Sequence, residues 1–329
     1  MTVLVVGGSG YLGAEICAAV EAAGEQVLAL SRSGTALAGK GLAADVSRHR
    51  FGLTDSEYAL LLADTTHVVT TFGSVDWSSG PEHAVNLHAV GIRNVLRFAR
   101  QAKALQGLVH VSSLLVFGRA EGRVGNRELY VGQRFRNWYE YGKYYAETLV
   151  RAATDVPTTI LRFGPLLGRS SLRPGVDARA GLLAAIPSLL QGYPVYLERR
   201  GDFPSYAGDV TVAAQLVARA VGTPAAGETW SWFDPDEPSV ADVFHGICRP
   251  WRRLPRIVDA GAMRRAQRWF APRIGLPRAL LDYAEPWFDI DREVLRQLPG
   301  GAPVCPPGYL EATGEALAHH SSKLTGAVR

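Results

Sequence analysis

A strand that runs straight into a glycine ladder constrains this chain more than any other feature. Val3-Leu-Val-Val6 is an apolar run fit for a strand buried on both faces. Gly7-Gly-Ser-Gly10-Tyr-Leu-Gly13 follows without a gap, and Ala14 to Ala23 then reads as a helix that stops at Gly24. The spacing is G-x-x-G-x-x-G. Such glycines let φ turn positive, let backbone approach a pyrophosphate, and let the helix pack close on the strand. The helix N-terminus offers free N–H groups and the positive end of its dipole to an anion. Gly7, Ser9, Gly10, Tyr11, Leu12 and Gly13 are therefore the expected dinucleotide-binding residues.

The second strand, Gln26 to Leu30, ends where an acidic residue would hold the two ribose hydroxyls of NAD. This chain instead carries Ser31-Arg32-Ser33. A guanidinium matches phosphate geometry, with two hydroxyls beside it. The expected cofactor is NADP(H) rather than NAD(H).

Strand and helix patterns alternate through the first half, which predicts an α/β fold with a doubly wound, parallel, Rossmann-type sheet. Gly41 to Ala44 reads as a third, short strand stretch, followed by Asp45-Val46; His67 to Thr71 reads as the fourth strand, running into Phe72-Gly73. Glu82 to Lys103 reads as a helix, Leu108 to Val111 as the fifth strand, ending in Ser112-Ser113, and Thr158 to Arg162 as the sixth, ending in Phe163-Gly164-Pro165. In such sheets ligands bind at the carboxyl ends of the strands, where the strand order reverses. Residues 7–13, Arg32, Asp45, Phe72-Gly73, Ser113 and Gly164-Pro165 all follow strands. Beyond about Asp177 the pattern changes, with a helix near Ala180 to Leu190 and short strands at Val195–Leu197 and Thr229–Trp232. The expected division is a Rossmann domain over 1–178 and a mainly substrate-binding α/β lobe over 179–329, with part of the chain returning to the main sheet.

Composition narrows the partners. The net charge of +4 comes from 31 Arg and 4 Lys against 31 acids, but no RNA-binding signature or zinc-finger spacing accompanies it. Cys17, Cys248 and Cys305 are odd in number and form no C-x-x-C, and the eight His show no metal spacing, so neither a disulfide framework nor a metal site is expected. No signal peptide precedes residue 3 and no run of 18 apolar residues exists, so the expected location is cytoplasmic, without membrane or nucleic-acid partners. A homodimer is the assembly to test. Arg249 to Arg273 concentrates eight Arg around one acid, Asp259; it reads as a solvated surface or as a dock for an anionic substrate handle.

Tyr139 stands four residues before Lys143 in Asn137-Trp-Tyr-Glu-Tyr-Gly-Lys-Tyr-Tyr-Ala-Glu147. That spacing puts a phenol and an ammonium on one helix face. A nearby cation favours phenolate, so Lys143 is expected to lower the Tyr139 pKa toward working pH. A phenol so tuned can exchange a proton with a carbonyl or carbinol oxygen. Tyr141, Tyr144 and Tyr145 are rivals, but none has the same spacing.

Taken together these residues resemble the extended short-chain dehydrogenase/reductases over roughly the first 220 positions. Val6-Gly7-x-x-Gly10-x-x-Gly13 is similar to that family's cofactor loop, Val109-His-Val-Ser-Ser113-Leu-Leu-Val-Phe-Gly118 to its strand-five motif, and Tyr139-x-x-x-Lys143 with Ala146-Glu147 to its active-site helix. The resemblance implies Ser113, Tyr139 and Lys143 as catalytic residues, with Lys143 also holding the nicotinamide ribose. It implies that Asp45 and Val46 hold the adenine. Thr71, Phe72, Gly73 and Phe163 to Leu166 complete the expected cofactor set. Two positions depart from the pattern: Phe117 where a tyrosine is frequent, and His88 where asparagine is usual, Asn86 being out of register. Gly164-Pro-Leu-Leu-Gly168-Arg-Ser-Ser, Asp177, Leu190-Gln-Gly-Tyr-Pro194, Asp209-Val210 and the ending Trp287-Phe-Asp289…Pro307-x-Tyr309-Leu310 are similar to the thioester-reductase and fatty-acyl-reductase (male-sterility-type) branch. The arginine that nucleotide-sugar epimerases usually carry before the Asp209 position is replaced by Pro204-Ser205-Tyr206.

The leading expectation is an NADPH-dependent reductase of a carbonyl or acyl thioester, with the acyl chain on coenzyme A or a carrier protein. A nucleotide-sugar epimerase or dehydratase using tightly bound NAD is the alternative, and a dinucleotide-sensing regulator without chemistry is the third. Phe117, Trp138, Leu166 and Tyr206 are candidates for the substrate wall.

Overall fold

The computed structural model describes residues 1–73, 77, 80–168, 181–223, 226–261, 269–274, 276 and 278–324. Arg169, Ser170, Ser171, Asp177, Ala180 and the expected division at 178/179 lie outside them.

Seven parallel strands form the main sheet: β1 (Thr2–Val6), β2 (Gln26–Ser31), β3 (Lys40–Ala43), β4 (His67–Thr70), β5 (Gly107–Ser113), β6 (Thr158–Phe163) and β7 (Thr229–Trp232). Their order is β7-β6-β5-β4-β1-β2-β3, so the winding reverses between β1 and β4. Val6 pairs with Leu30 on one side and Thr70 on the other, while Ser113 pairs with Phe163, so the strands end level along one edge. The parallel Rossmann-type sheet expected from the sequence is present. Thr229–Trp232, expected in the C-terminal lobe, is instead the outer strand of this sheet beside β6. It is the expected return of the chain, and its Trp232 is wholly buried against Phe163.

Alternation along β1 divides the interior into two cores. Val3 and Val5 pack with Ile16, Cys17 and Val20 of α1 (Tyr11–Ala22). Leu4 and Val6 pack into the other layer with Tyr58 and Leu61 of α2 (Asp55–Asp64), Ile92 and Val95 of α3 (Gly91–Gln101), and Ala146 and Val150 of α4 (Trp138–Ala152). A period of two can serve both layers only because helices cover both sheet faces. The helix expected over 82–103 is present but interrupted: Pro81–Val85 is α-helical, Asn86–Val90 makes a π turn, and α3 follows.

Beyond β6 the chain crosses to the β1 face as α5 (Val210–Val221), which packs on α1. The C-terminal part is built from α6 (Val240–Cys248), α7 (Tyr309–Leu324) and two-strand parallel pairs, Val195–Leu197 with Ile257–Asp259 and Arg123–Val124 with Asp289–Ile290. The last pair ties the loop after β5 to the C-terminal segment.

Candidate active site

The expected crevice lies at the carboxyl ends of β1 and β4, where the winding of the sheet reverses. Gly7 has φ +97°, and a Cβ there would lie 2.8 Å from the Phe72 amide nitrogen, so the loops after β1 and β4 touch backbone to backbone. A Cβ on Gly13 would lie 2.1 Å from the Gly7 carbonyl oxygen, which fixes how closely α1 approaches the loop. The start of α1 has no side-chain cap and no acidic residue in its first turn, leaving its amides to an anion. The Tyr11 hydroxyl donates to the Leu166 carbonyl at 3.1 Å and joins this loop to the segment after β6. The glycine loop, Thr71-Phe72-Gly73 and Leu166 therefore border one crevice, and its chemistry fits a dinucleotide pyrophosphate.

At the end expected to hold adenine, Asp45 accepts from the Ser47 hydroxyl at 2.6 Å and the Ser47 amide at 2.9 Å. Those hydrogen bonds, with Arg32 and Arg48 nearby, hold its carboxyl below the usual carboxylate range. Arg32 and Ser33 are exposed, whereas Ser31 is buried with its hydroxyl donated to the Thr35 carbonyl. Arg48 is a second cation at this end that sequence reading did not single out. Val46 and Phe163 are buried: Val46 belongs to the core beneath, and the Phe163 ring packs against Trp232. Only the backbone of Phe163 lies along the strand edge.

The three expected catalytic residues meet at the end of β5. Asn137 caps α4 by accepting from the Glu140 amide at 3.0 Å, which starts the helix one residue before Tyr139. Ser113 accepts from the Leu115 amide at 3.1 Å, and its hydroxyl lies near enough to the Tyr139 phenol to favour the phenolate. Lys143, one turn on, is buried and donates to the Val111 carbonyl at 3.4 Å. Its neighbour Ser112 is committed elsewhere, donating to Glu147 Oε2 at 2.6 Å, so Ser113 is the serine at the site. Tyr141, Tyr144 and Tyr145 lie on another face of α4, packed among themselves.

The expected effect of Lys143 on Tyr139 does not hold. Burial pushes the Tyr139 phenol up to about 12, with the Ser113 hydrogen bond opposing it and Glu140 adding to it. Burial also pulls the Lys143 ammonium down to about 8. Desolvation is the dominant influence on both groups. Tyr139 is thus a protonated acid, and Lys143 is the group that titrates near neutral pH.

Two buried ion-pair networks hold this geometry. Arg162 of β6 donates to both Glu147 oxygens at 3.1 and 2.6 Å and to the carbonyls of Gly125 and Glu128. Its guanidinium lies 4.7 Å over the Phe117 ring. Burial raises the Glu147 carboxyl, but Arg162, Arg151 and Ser112 together bring it below its usual value. In the second network Arg136 bonds Glu140 and the carbonyls of Gly118, Asp282 and Trp287. The Tyr283 hydroxyl donates to Glu140 at 2.8 Å and accepts from Asn137 at 2.9 Å, while its ring stacks 4.0 Å from Trp77. Sequence reading missed Arg136, Glu140, Trp77 and Tyr283; Glu140 beside Tyr139 was the one local signal.

The wall candidates fare differently. Phe117 is fully buried under Arg162 and Phe288, and Tyr206 is a buried core residue donating to the Phe288 carbonyl at 3.1 Å. Trp138 is 43% exposed against Tyr141, on the solvent side of α4. Leu166 alone stays at the crevice. Among the described residues no group of His, Cys, Asp or Glu could hold a metal, and no helix is long and apolar enough to cross a membrane.

Residues 39–201 match the NAD-binding family described as "Male sterility protein". That stretch contains Asp45, Gly73, Ser113, Tyr139, Lys143 and Leu166, and begins after the glycine loop and Arg32. No curated protein matches the chain. Among solved structures, the terminal R domain from the myxalamid PKS-NRPS biosynthetic pathway is similar with a TM-score of 0.79 at 18% identity, over 98% of this chain and 91% of that one. UDP-galactose 4-epimerase is similar with a TM-score of 0.70 at 17% identity, over 97% and 99% of the two chains. UDP-glucuronic acid 4-epimerase from Bacillus cereus, in complex with NAD, reaches 0.72 at 15% identity, over the same 97% and 99%. At these identities the likeness is one of fold. With the family match, it bears out the resemblance to the extended short-chain dehydrogenase/reductases.

Proposed function

We propose that this nicotinamide-dependent enzyme reduces a carbonyl or an acyl thioester with NADPH, Tyr139 acting as general acid. The observation that carries the reading is the convergence of Ser113, Tyr139 and buried Lys143 at the end of β5, with the Lys143 ammonium beside Gly73 at the end of β4. Bound in that crevice, the cofactor supplies the hydride. Tyr139 gives its proton to the substrate oxygen as negative charge develops there, and Ser113 donates a hydrogen bond to the same oxygen. For a thioester the resulting hemithioacetal expels its thiol and leaves an aldehyde; a ketone ends as an alcohol. Lys143 orients the nicotinamide ribose and holds positive charge beside the phenol.

Three features favour this over epimerisation of a nucleotide sugar. Pro204-Ser205-Tyr206 brings no cation to the position before Asp209, and Ser205 and Tyr206 are committed to the Pro238 and Phe288 carbonyls. Arg32 is exposed at the end of β2, where it can meet a 2′-phosphate. The matched family spans the catalytic triad and the segment after β6.

The test is NADPH consumption with a panel of acyl thioesters, on coenzyme A and on a carrier protein, and of ketones. The wild type turns over with NADPH in preference to NADH, and Arg32→Ala loses that preference. Tyr139→Phe loses about 10²–10³-fold in kcat. Purified protein that holds NAD releasable only by denaturation, and consumes no NADPH, would establish the epimerase reading instead.

A further inference from the structure

Leu254 is 89% exposed, the most exposed of the large apolar side chains among the described residues, and Trp269 is 67% exposed. Single exposed apolar residues are ordinary on a protein surface. These two are set around one small element, the parallel pair Val195–Leu197 with Ile257–Asp259. Val195 and Leu197 are buried, so Tyr196 between them faces outward, and the Phe270 ring packs on it edge to face at 6.0 Å. Trp269 adjoins Phe270 in the chain. On the other strand the alternation runs back through buried Pro255, which leaves Leu254 and Arg256 pointing outward on either side of it. Tyr193, 40% exposed, stands two residues before Val195, as Pro255 stands two before the paired Ile257.

Cations accompany this apolar surface. Arg252, Arg253 and Arg256 are exposed, and none forms an ion pair with a described acid. Arg253 donates to the Leu190 carbonyl at 2.8 Å, and the Arg273 guanidinium lies 4.0 Å over the Trp269 ring. Asp259, at the far end of its strand, is the one acid between residues 249 and 273. Beyond Leu197 the charges balance, with Glu198 and Asp202 flanking Arg199 and Arg200. Apolar tips among arginines without acidic partners complement an anionic, deformable phase. A side chain as exposed as Leu254 protrudes rather than lining a groove. A protein partner would have to bring a matching pocket, whereas lipid headgroups part around it. Tryptophan and tyrosine favour the membrane–water boundary, and each basic residue adds attraction to anionic lipid.

We propose that this face seats the protein on an anionic phospholipid surface, with Leu254 and Trp269 entering the headgroup layer and Arg252 and Arg256 meeting lipid phosphates. The sequence led us to expect no membrane partner because it holds no spanning run. Attachment along a surface needs no span, and no described helix is long and apolar enough to cross a membrane. Such attachment is independent of the reductase reading.

The test sediments the full chain with phosphatidylcholine vesicles, with and without phosphatidylglycerol, at low and at high salt. Binding to the mixed vesicles alone, weakened by salt, is the expected result. Arg252→Gln combined with Arg256→Gln should weaken it about tenfold or more, and Leu254→Ser about threefold or more. Brominated lipid should quench part of the tryptophan emission of the wild type and less of it in Trp269→Phe. These side chains are exposed, so an unchanged melting transition is expected for each variant. No binding to mixed vesicles at low salt overturns the proposal. Binding that Leu254→Ser and Trp269→Phe leave unaltered is attraction by charge alone and also overturns it. Co-elution with an acidic protein, without vesicle binding, would assign the face to a protein partner instead. A raised KM for a coenzyme A thioester in the arginine variant, again without vesicle binding, would assign it to an anionic substrate handle. Vesicle binding as expected in a protein that consumes no NADPH would sink the reductase reading alone.

Discussion

Lys143 governs how this site responds to pH. Its ammonium is disfavoured by burial, so the unfolded chain binds more protons between pH about 8 and the ordinary lysine value of 10.5. Stability should therefore rise with pH across that window. Lys143→Met should be more stable than the wild type below pH 8, by about 1–3 kcal/mol, with the difference closing toward pH 10.5; urea titrations at several pH values would show it. Activity runs the other way. If the proposed reaction needs the ammonium, kcat/KM should fall as pH rises through about 8, while Tyr139, raised to about 12, stays protonated. A profile flat to pH 10 would contradict this. The Tyr139–Lys143 spacing was legible in the sequence, but the direction of the Tyr139 shift was not. Spacing along a helix fixes who is near whom, whereas desolvation depends on what the rest of the chain packs around them.

Elements carry the site through the Arg162–Glu147 pair, which locks β6, α4 and the loop after β5 to one another. Both side chains are fully buried. Removing one partner of a buried pair leaves the other charge uncompensated, so Arg162→Met should cost about 3–5 kcal/mol. Arg162→Met combined with Glu147→Leu should recover much of that loss in the same denaturant titration. A double variant no more stable than the single one would mean that the carbonyls of Gly125 and Glu128, not Glu147, are what Arg162 supports. Among elements, β1, β2, β4, β5 and β6 were readable from their apolar runs. Helix α2 was not singled out, although Thr54 and Glu57 form a capping box at its start; two buried residues, Tyr58 and Leu61, give it little apolar signature. The helix over 82–103 was legible in extent but not its π turn, whose His88 ring lies against Gly73 and Gly142, residues distant in sequence or on another helix.

At the scale of the whole molecule, the C-terminal half reaches back to α4. Residues 282–288 meet the N-terminus of α4 through Arg136, and Tyr283 links Trp77, Asn137 and Glu140. Tyr283→Phe keeps the ring stack but strips a partner from buried Glu140 and Asn137. It should cost about 1–3 kcal/mol and lower kcat more than it raises KM, since Glu140 adjoins Tyr139. Unchanged kcat together with unchanged stability would show that this tie is dispensable. The return of Thr229–Trp232 to the main sheet belongs to the same scale. A strand that packs on β6 and one that packs in a lobe have the same apolar signature, so its place had to come from pairing.

By itself the sequence determined the parallel sheet, and it brought forward the glycine loop and Ser113, Tyr139 and Lys143 as candidates. These are local: strand runs, turns and helix spacing are set by residues within a few positions of one another. Only the tertiary structure decided how burial shifts Tyr139 and Lys143, which aromatic residues are core rather than wall, and that His88 and Tyr283 reach α4. Burial and long-range contact are properties of the packed whole, and no short window of residues contains them.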